Sequence, residues 1–193
     1  MGSLVRRAQQ VVDCAVNTGD TAVDATLGNG HDTLFLASRV GKQGIVYGFD
    51  VQPVALEHTH QRLLKAGQDR QVILLNQGHE NLEAAIPASQ HGSIAAVMFN
   101  LGYLPGNDKS ITTQTATTLL ALEQAAGIVK VGGVIVIVAY TGHPGGDEET
   151  LAVKACVRRW SGKQFTVDID SPSCDISSAR QSPPELIVIK KRA

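Results

Sequence analysis

No stretch of this sequence approaches the ~20 consecutive apolar residues that span a bilayer, although hydrophobic residues make up 43% of it. The reading is a water-soluble folded protein with no membrane partner. Charge of one sign is also missing. Seventeen Lys and Arg stand against eighteen Asp and Glu, a formal charge of −1, which neither demands nor excludes a nucleic-acid partner, because a basic patch can be local. Cysteine is scarce, and Cys14, Cys156 and Cys174 form no CxxC and no Cys/His cluster. That argues against a metal site and a disulfide framework and suggests buried free thiols. The opening Met-Gly-Ser lacks the basic-then-apolar layout of a secretory signal and reads as a cloning remnant. With no internal repeat, charge block or linker, the expectation is one domain over 1–193.

What is present is an alternation of apolar runs and helical patterns. Leu4, Ala8, Val11, Val12, Ala15 and Val16 recur at helical spacing and predict a helix over 4–17. A strand at Thr21 to Ala25, a helix at His31 to Val40, a strand at Ile45 to Asp50 and a helix from Pro53 to Ala66 follow, the proline suiting a first turn. Gln71 to Asn76 reads as a strand, Leu82 to Ala85 as a short helix, Ile94 to Phe99 as a strand and Thr113 to Val129 as a long helix. Gly132-Gly133 reads as a turn into Val134 to Tyr140, the most hydrophobic run and hence a central strand. A helix over Glu148 to Trp160 and strands at Phe165 to Ile169 and Leu186 to Ile189 complete the chain, with a Ser- and Pro-rich loop at 171–184 near the site. These β-then-α units predict an α/β fold with a doubly wound, mostly parallel seven-stranded sheet.

Ligands of such sheets sit at the carboxyl ends of the strands. Five polar segments fall there: 24–33, 50–52, 77–81, 100–106 and 141–147. The first, Asp24-Ala-Thr-Leu-Gly-Asn-Gly-His-Asp-Thr33, reads as a strand end, a glycine turn and a helix start, the arrangement that holds a nucleotide-like cofactor. Gly28 and Gly30 would let the backbone approach a ligand where a Cβ would collide. Asp50 lies twenty residues after Gly30, the spacing of an acid that hydrogen-bonds a ribose, though a solvated helix cap is the alternative. Thr33 stands where a nicotinamide fingerprint has its third glycine. A non-catalytic NAD-binding module stays open as a second reading.

Asp24-x-x-x-Gly28-x-Gly30 resembles motif I of class I S-adenosylmethionine-dependent methyltransferases, with Thr26 where many members carry another glycine. The resemblance implies a Rossmann-like sheet with its last strand antiparallel. It implies that Asp24, Gly28 and Gly30 line the methionine part of the cofactor, Asp50 with Val51 and Gln52 the ribose, and Gly78-His79-Glu80 the adenine. Read alone, His79 is an exposed turn histidine. Asn100-Leu-Gly-Tyr103 has the spacing of the Asn-Pro-Pro-Tyr signature of amino-group methyltransferases, without its paired prolines. There the Asn carbonyl accepts a hydrogen bond from the target amine and the ring stacks on the base. A turn-capping Asn100 and a packing Tyr103 remain the alternative.

The longer strings Asp24 to Ala37, Gly48-Phe-Asp-Val-Gln52, Met98 to Gly106 with Asp108-Lys109, and Tyr140-x-Gly-His-x-Gly-Gly-x-Glu148 closely resemble a family labelled ribosomal-RNA methylases, which includes a tRNA wobble-uridine methyltransferase. The resemblance covers roughly residues 5–190. It implies methylation, with S-adenosylmethionine as donor and S-adenosylhomocysteine as product, of the exocyclic amine of 5-aminomethyl-(2-thio)uridine in a tRNA anticodon stem-loop, by a homodimer. Another RNA base or a small amine is the alternative acceptor. A bacterial cytoplasm is the implied location, or a plastid matrix if a transit peptide has been removed.

Carried across, Asn29, His31 and Asp32 sit beside the sulfonium end, Thr26 and Thr33 also bind the cofactor, and Asn100, itself a cofactor contact, and Tyr103 stand at the acceptor amine. Leu101, Gly102, Pro105, Gly106 and Lys109 surround the substrate, with His143, Gly145, Gly146 and Glu148 on the opposite loop. An alkylamine titrates at ~10.4 and must be neutral to attack. His143 is either the base or a residue that orders its loop, and His31-Asp32 are cofactor ligands, helix caps or managers of the amine proton. Among Arg6-Arg7, Lys109, Lys154 with Arg158, and Lys190-Lys-Arg192, Lys109 is the best placed for an RNA phosphate. Gln181-Ser-Pro-Pro-Glu-Leu186 departs from the family pattern, with Glu185 where an apolar residue is expected.

Overall fold

The computed structural model describes residues 2–162, 164–170 and 183–193. Helix α1 (Gly2–Asp13) leads into β1 (Thr21–Asp24), α2 (His31–Val40), β2 (Ile45–Phe49), α3 (Pro53–Ala66), β3 (Val72–Leu75), a short α4 (Leu82–Ala85) and β4 (Ile94–Leu101). The chain continues through α5 (Thr115–Ile128), β5 (Val129–Ala139), α6 (Gly146–Arg158), β6 (Phe165–Asp170) and β7 (Glu185–Lys191).

The seven strands form one sheet in the order β3-β2-β1-β4-β5-β7-β6. The first five run parallel, and β7 lies antiparallel between β5 and β6. Strand order reverses between β1 and β4, and a doubly wound sheet leaves a crevice at such a point.

Apolar alternation on the central strands explains why both faces are covered. On one face Val97, Phe99 and Leu101 of β4 and Ile135 and Ile137 of β5 meet Leu82, Leu122, Ala125 and Val153 from α4, α5 and α6. On the other, Ala96 and Met98 of β4 and Val134, Val136 and Val138 of β5 meet Ala8, Val12, Leu36 and Leu63 from α1, α2 and α3. Strands buried on both faces read as unbroken apolar runs.

Three expectations need correction. Gly132-Gly133 does not turn the chain into β5 but lies within it: the register slips between Ile94↔Val129 and Ala96↔Val134, so the glycines sit in an irregularity of the strand. Strand β4 runs on to Leu101, so Asn100 is a paired strand residue opposite Val138. Cys14 is exposed, whereas Cys156 is the buried thiol expected. Cys174 and most of the loop expected at 171–184 lie outside the described residues. No helix among those described is long and apolar enough to cross a membrane.

Candidate functional site

The tips of β1 and β4 floor a cavity of about 500 Å³, within the range of small-molecule sites. At the end of β1, Asp24 is fully buried and accepts hydrogen bonds from Thr33 Oγ1 (2.6 Å) and Thr26 N–H (3.2 Å). Burial, and then the nearby Asp32 charge, push its carboxyl up to about 7. Two residues beyond β4's pairing with Asp24, the Asn100 N–H donates to Thr26 Oγ1 at 2.7 Å.

The Asn100 side chain is oriented by Asp32 in the first turn of α2. Asn100 Nδ2 donates to Asp32 Oδ2 (2.8 Å), and Gln9 Nε2 from α1 donates to Asp32 Oδ1 (2.8 Å). A carboxylate only accepts, so the Asn100 amide turns its nitrogen to Asp32 and leaves its carbonyl for the cavity, which Asn100 lines. Tyr140 lines the same wall, its phenol pushed above its ordinary value by burial and then by Asp32.

Across the crevice, Asp50 grips the glycine turn: Oδ2 accepts Gly28 N–H (3.0 Å) and Oδ1 accepts Gln52 N–H (2.9 Å). Each oxygen keeps a lone pair for a ligand hydroxyl. Gly28 (φ 53°) lines the cavity, whereas Gly30 does not. A Cβ at Gly30 would stand 2.7 Å from Thr59 Oγ1 and 2.9 Å from Thr59 Cα. Gly30 therefore lets α3 approach the turn, which corrects the expectation that it opens the backbone to a ligand.

His79 is buried, not exposed as its turn suggested: Nδ1 lies 3.2 Å from the Ala25 carbonyl, and the ring meets Phe99 edge-on. Burial lowers its pKa, so it stands neutral as an Nδ1–H donor. Nε2 faces Thr118 Oγ1 (3.4 Å), whose hydroxyl donates to buried Glu149 Oε1 (2.6 Å), and Glu149 Oε2 accepts Thr113 Oγ1 (2.7 Å). Glu149 thereby ties α5 to the 111–114 segment over the cavity.

Tyr103 lines the cavity, but His143 does not. His143 stands edge-on to Tyr103 at 6.0 Å, with Nδ1 3.1 Å from the Pro144 carbonyl and Nε2 buried without a hydrogen-bond partner. Lys109 Nζ lies 5.3 Å over the Tyr103 ring. Other basic residues of the sequence are held within the fold: Arg7 by Asp170, Lys154 by Glu185 (2.7 Å), and Lys191 by the Ala126 and Val129 carbonyls. Arg62 and His58 stand at the rim instead, Arg62 donating to the Asn29 carbonyl (2.7 Å) and to His31 Nε2 (3.2 Å).

Of the predicted site residues, the cavity gathers Thr26, Gly28, Asn29, His31, Asp32 and the Asp50–Gln52 segment. It also gathers Gly78, His79, Glu80, Asn100, Gly102, Tyr103 and Pro105. Asp24 and Thr33 lie beneath it, buried, and Leu101 faces the core. Gly106, Lys109, Gly145, Gly146 and Glu148 are not in its wall; Gly145 caps α6, and Gly146 and Glu148 lie in its first turn. Sequence reasoning missed Gln9, Tyr140, Glu149 and the 111–114 segment. Gln9 and Glu149 carried a signal: each interrupts the apolar face of its helix, beside Ala8 and Val12 or beside Val153 and Cys156. Among the described residues no His, Cys, Asp or Glu cluster could hold a metal ion.

The family model described as "Putative rRNA methylase" matches residues 46–190. A "tRNA (mnm(5)s(2)U34)-methyltransferase, chloroplastic" from Arabidopsis thaliana is 42% identical over 156 residues, 77% of this chain and 56% of that protein, so the chain spans little more than half of that relative. A Clostridium thermocellum crystal structure under the same rRNA-methylase description aligns over 99% of this chain and 98% of its own, with a TM-score of 0.90 and 38% identity. A Streptococcus mutans "putative methyltransferase" solved in complex with SAH aligns over 99% of each chain, with a TM-score of 0.85 and 32% identity. By the family match and these full-length likenesses, the chain belongs to the rRNA methylase family so described.

Proposed function

We propose that this chain is an S-adenosylmethionine-dependent N-methyltransferase that acts on the exocyclic amine of 5-aminomethyl-(2-thio)uridine at the tRNA wobble position. The observation that carries the reading is the charge of the cavity. Asp32, Asp50 and Glu80 line it, and among the described residues no lysine or arginine does. Such a wall suits a sulfonium cation and repels the pyrophosphate of NAD. The SAH held by the Streptococcus mutans protein and the wobble-uridine activity named for the Arabidopsis relative support the same choice.

In this reading Asp50 holds ribose hydroxyls, Gly78 to Glu80 border the adenine, and the Gly28-Asn29 turn borders the methionine. Bound there, S-adenosylmethionine supplies an electrophilic methyl group: the S–C bond breaks as the N–C bond forms, and the positive charge passes from sulfur to nitrogen. The Asn100 carbonyl accepts one N–H of the neutral amine and aims its lone pair, a matter of orientation and not of charge. Tyr103 and Tyr140 wall the acceptor. The surplus proton on the product nitrogen leaves to solvent past exposed Pro105 and Ile111, and His143 orders Tyr103. Lys109, Arg62 and His58 contact RNA phosphates. The chain works as a homodimer, in a bacterial cytoplasm or a plastid matrix.

The test is transfer of labelled methyl to tRNA carrying 5-aminomethyluridine, to ribosomal RNA and to the free nucleoside. Saturable labelling of that tRNA, with KM rising steeply with salt, is expected. Labelling confined to ribosomal RNA or to the free amine would overturn the acceptor assignment. In parallel calorimetry, SAH binding is expected and NAD binding in its place would overturn the cofactor.

A further inference from the structure

We propose that Gln9, on the N-terminal helix, is a positioning residue that holds Asn100 in its acceptor orientation through Asp32. The inference rests on the methyltransferase reading only for its kinetic consequence, and the geometry stands apart from it.

Asp32 is 7% exposed, and its two oxygens are taken separately, Oδ1 by Gln9 Nε2 and Oδ2 by Asn100 Nδ2, each at 2.8 Å. Nitrogen must face it from both sides, because a carboxylate has no proton to give. Turning the Asn100 amide over would set its carbonyl against Asp32 and an NH2 group toward the acceptor. The backbone of Asn100 cannot swing to compensate, since its N–H is held by Thr26 Oγ1 at 2.7 Å. Gln9 supplies the second anchor: without it Oδ1 loses its donor in a buried site, the carboxylate rotates, and Oδ2 leaves its alignment with Asn100. The residue belongs to α1, whose Val5 also lines the cavity and whose Ala8 and Val12 seat it on the sheet. The helix outside the βα units thereby sets the polarity of the acceptor site.

A polarity swap tests this. In Asp32→Asn the new amide offers one donor and one acceptor, so both orientations of Asn100 carry equal bonds once Gln9 turns over, and with half the molecules misoriented kcat falls about twofold. Asn100→Asp sets two carboxylates face to face and loses about a hundredfold. The double variant again sets one donor against one acceptor at this contact, keeps an acceptor for Gln9 and puts an oxygen toward the cavity, and is expected at least tenfold above Asn100→Asp. A double variant that binds SAH yet is no better than Asn100→Asp would overturn the proposal.

Gln9→Ala provides a readout independent of turnover. In 15N-labelled protein the Asn100 side-chain NH2 signals, assigned by their loss in Asn100→Asp, are expected to exchange with solvent at least tenfold faster in Gln9→Ala than in the wild type. In turnover, kcat falls while KM for tRNA holds. Equal exchange rates would overturn the proposal. Faster exchange in a protein that methylates nothing would uphold the positioning and sink the methyltransferase reading instead.

Discussion

Gly28 and Gly30 are two residues apart, both in the left-handed region (φ 53° and 74°), yet alanine has different consequences at the two. At either position the backbone penalty for an L side chain is about 1 kcal/mol. At Gly28 little else is added, because a Cβ would find its nearest neighbour, Leu104 Cδ1, at 3.6 Å. At Gly30 it would meet Thr59 Oγ1, Cγ2 and Cα at 2.7, 2.8 and 2.9 Å. Thr59 is fully buried in α3 and has no room to withdraw. Overpacking of this kind costs about 1–3 kcal/mol, which brings Gly30→Ala to about 3 kcal/mol against about 1 for Gly28→Ala. For a chain of this size, roughly 2–4 °C per kcal/mol turns these into falls in Tm of roughly 6–12 °C and 2–4 °C. Thermal and urea denaturation read both. Adding Thr59→Ala to Gly30→Ala removes the Oγ1 and Cγ2 clashes but not the one with Cα, so partial recovery is expected. Equal destabilisation by the two glycine substitutions would refute the assignment of Gly30 to helix contact.

Burial raises the Asp24 carboxyl to about 7 in the folded state from an ordinary value near 3.8, so between those pH values the folded state keeps a proton that the unfolded chain has lost. Stability linked to this group therefore falls as pH rises from about 4 to about 7; the urea midpoint should lose that fall in Asp24→Asn, and an unchanged pH slope would refute it. His79 is shifted the other way, so the unfolded chain takes up a proton first and stability is lost as pH falls below about 6.5. His79→Gln should flatten that limb in the same measurement. Glu149→Ala strands the Thr113 and Thr118 hydroxyls and removes two charge-assisted bonds, for a loss of about 2–4 kcal/mol in denaturation. Alkylation should label exposed Cys14 within minutes and buried Cys156 only on unfolding; equal rates by peptide mass spectrometry would contradict the packing of α6.

Where local pattern and tertiary demand agree, the sequence was legible. The bounds expected for the helices at His31–Val40 and Pro53–Ala66 are those observed, because the flanking glycines and Pro53 terminate them. The doubly wound, mostly parallel sheet followed from the βα alternation. Gly132-Gly133 misled, because a glycine pair signals a turn locally. In the sheet, a Cβ at Gly133 would stand 2.7 Å from Val129 Cγ2 and 3.0 Å from the Ala95 carbonyl, so the residue is small because strands crowd there. The crevice loops were visible from their place at strand ends, but not which side chains within them face inward. His143 shares a loop with the motif yet stands behind Tyr103, while Tyr140 reaches the cavity simply by following β5. Gln9 and Glu149 act across the fold on partners 23 and 31 or 36 residues away, distances that no local spacing encodes.

The most direct test is nucleoside mass spectrometry of tRNA carrying 5-aminomethyl-2-thiouridine after incubation with the protein and isotopically labelled S-adenosylmethionine. The account expects the wobble nucleoside to be converted to its labelled 5-methylaminomethyl form, and Asn100→Ala, still binding SAH, to leave it unconverted. An unmodified wobble nucleoside alongside label on another base, or full conversion by Asn100→Ala, would contradict it.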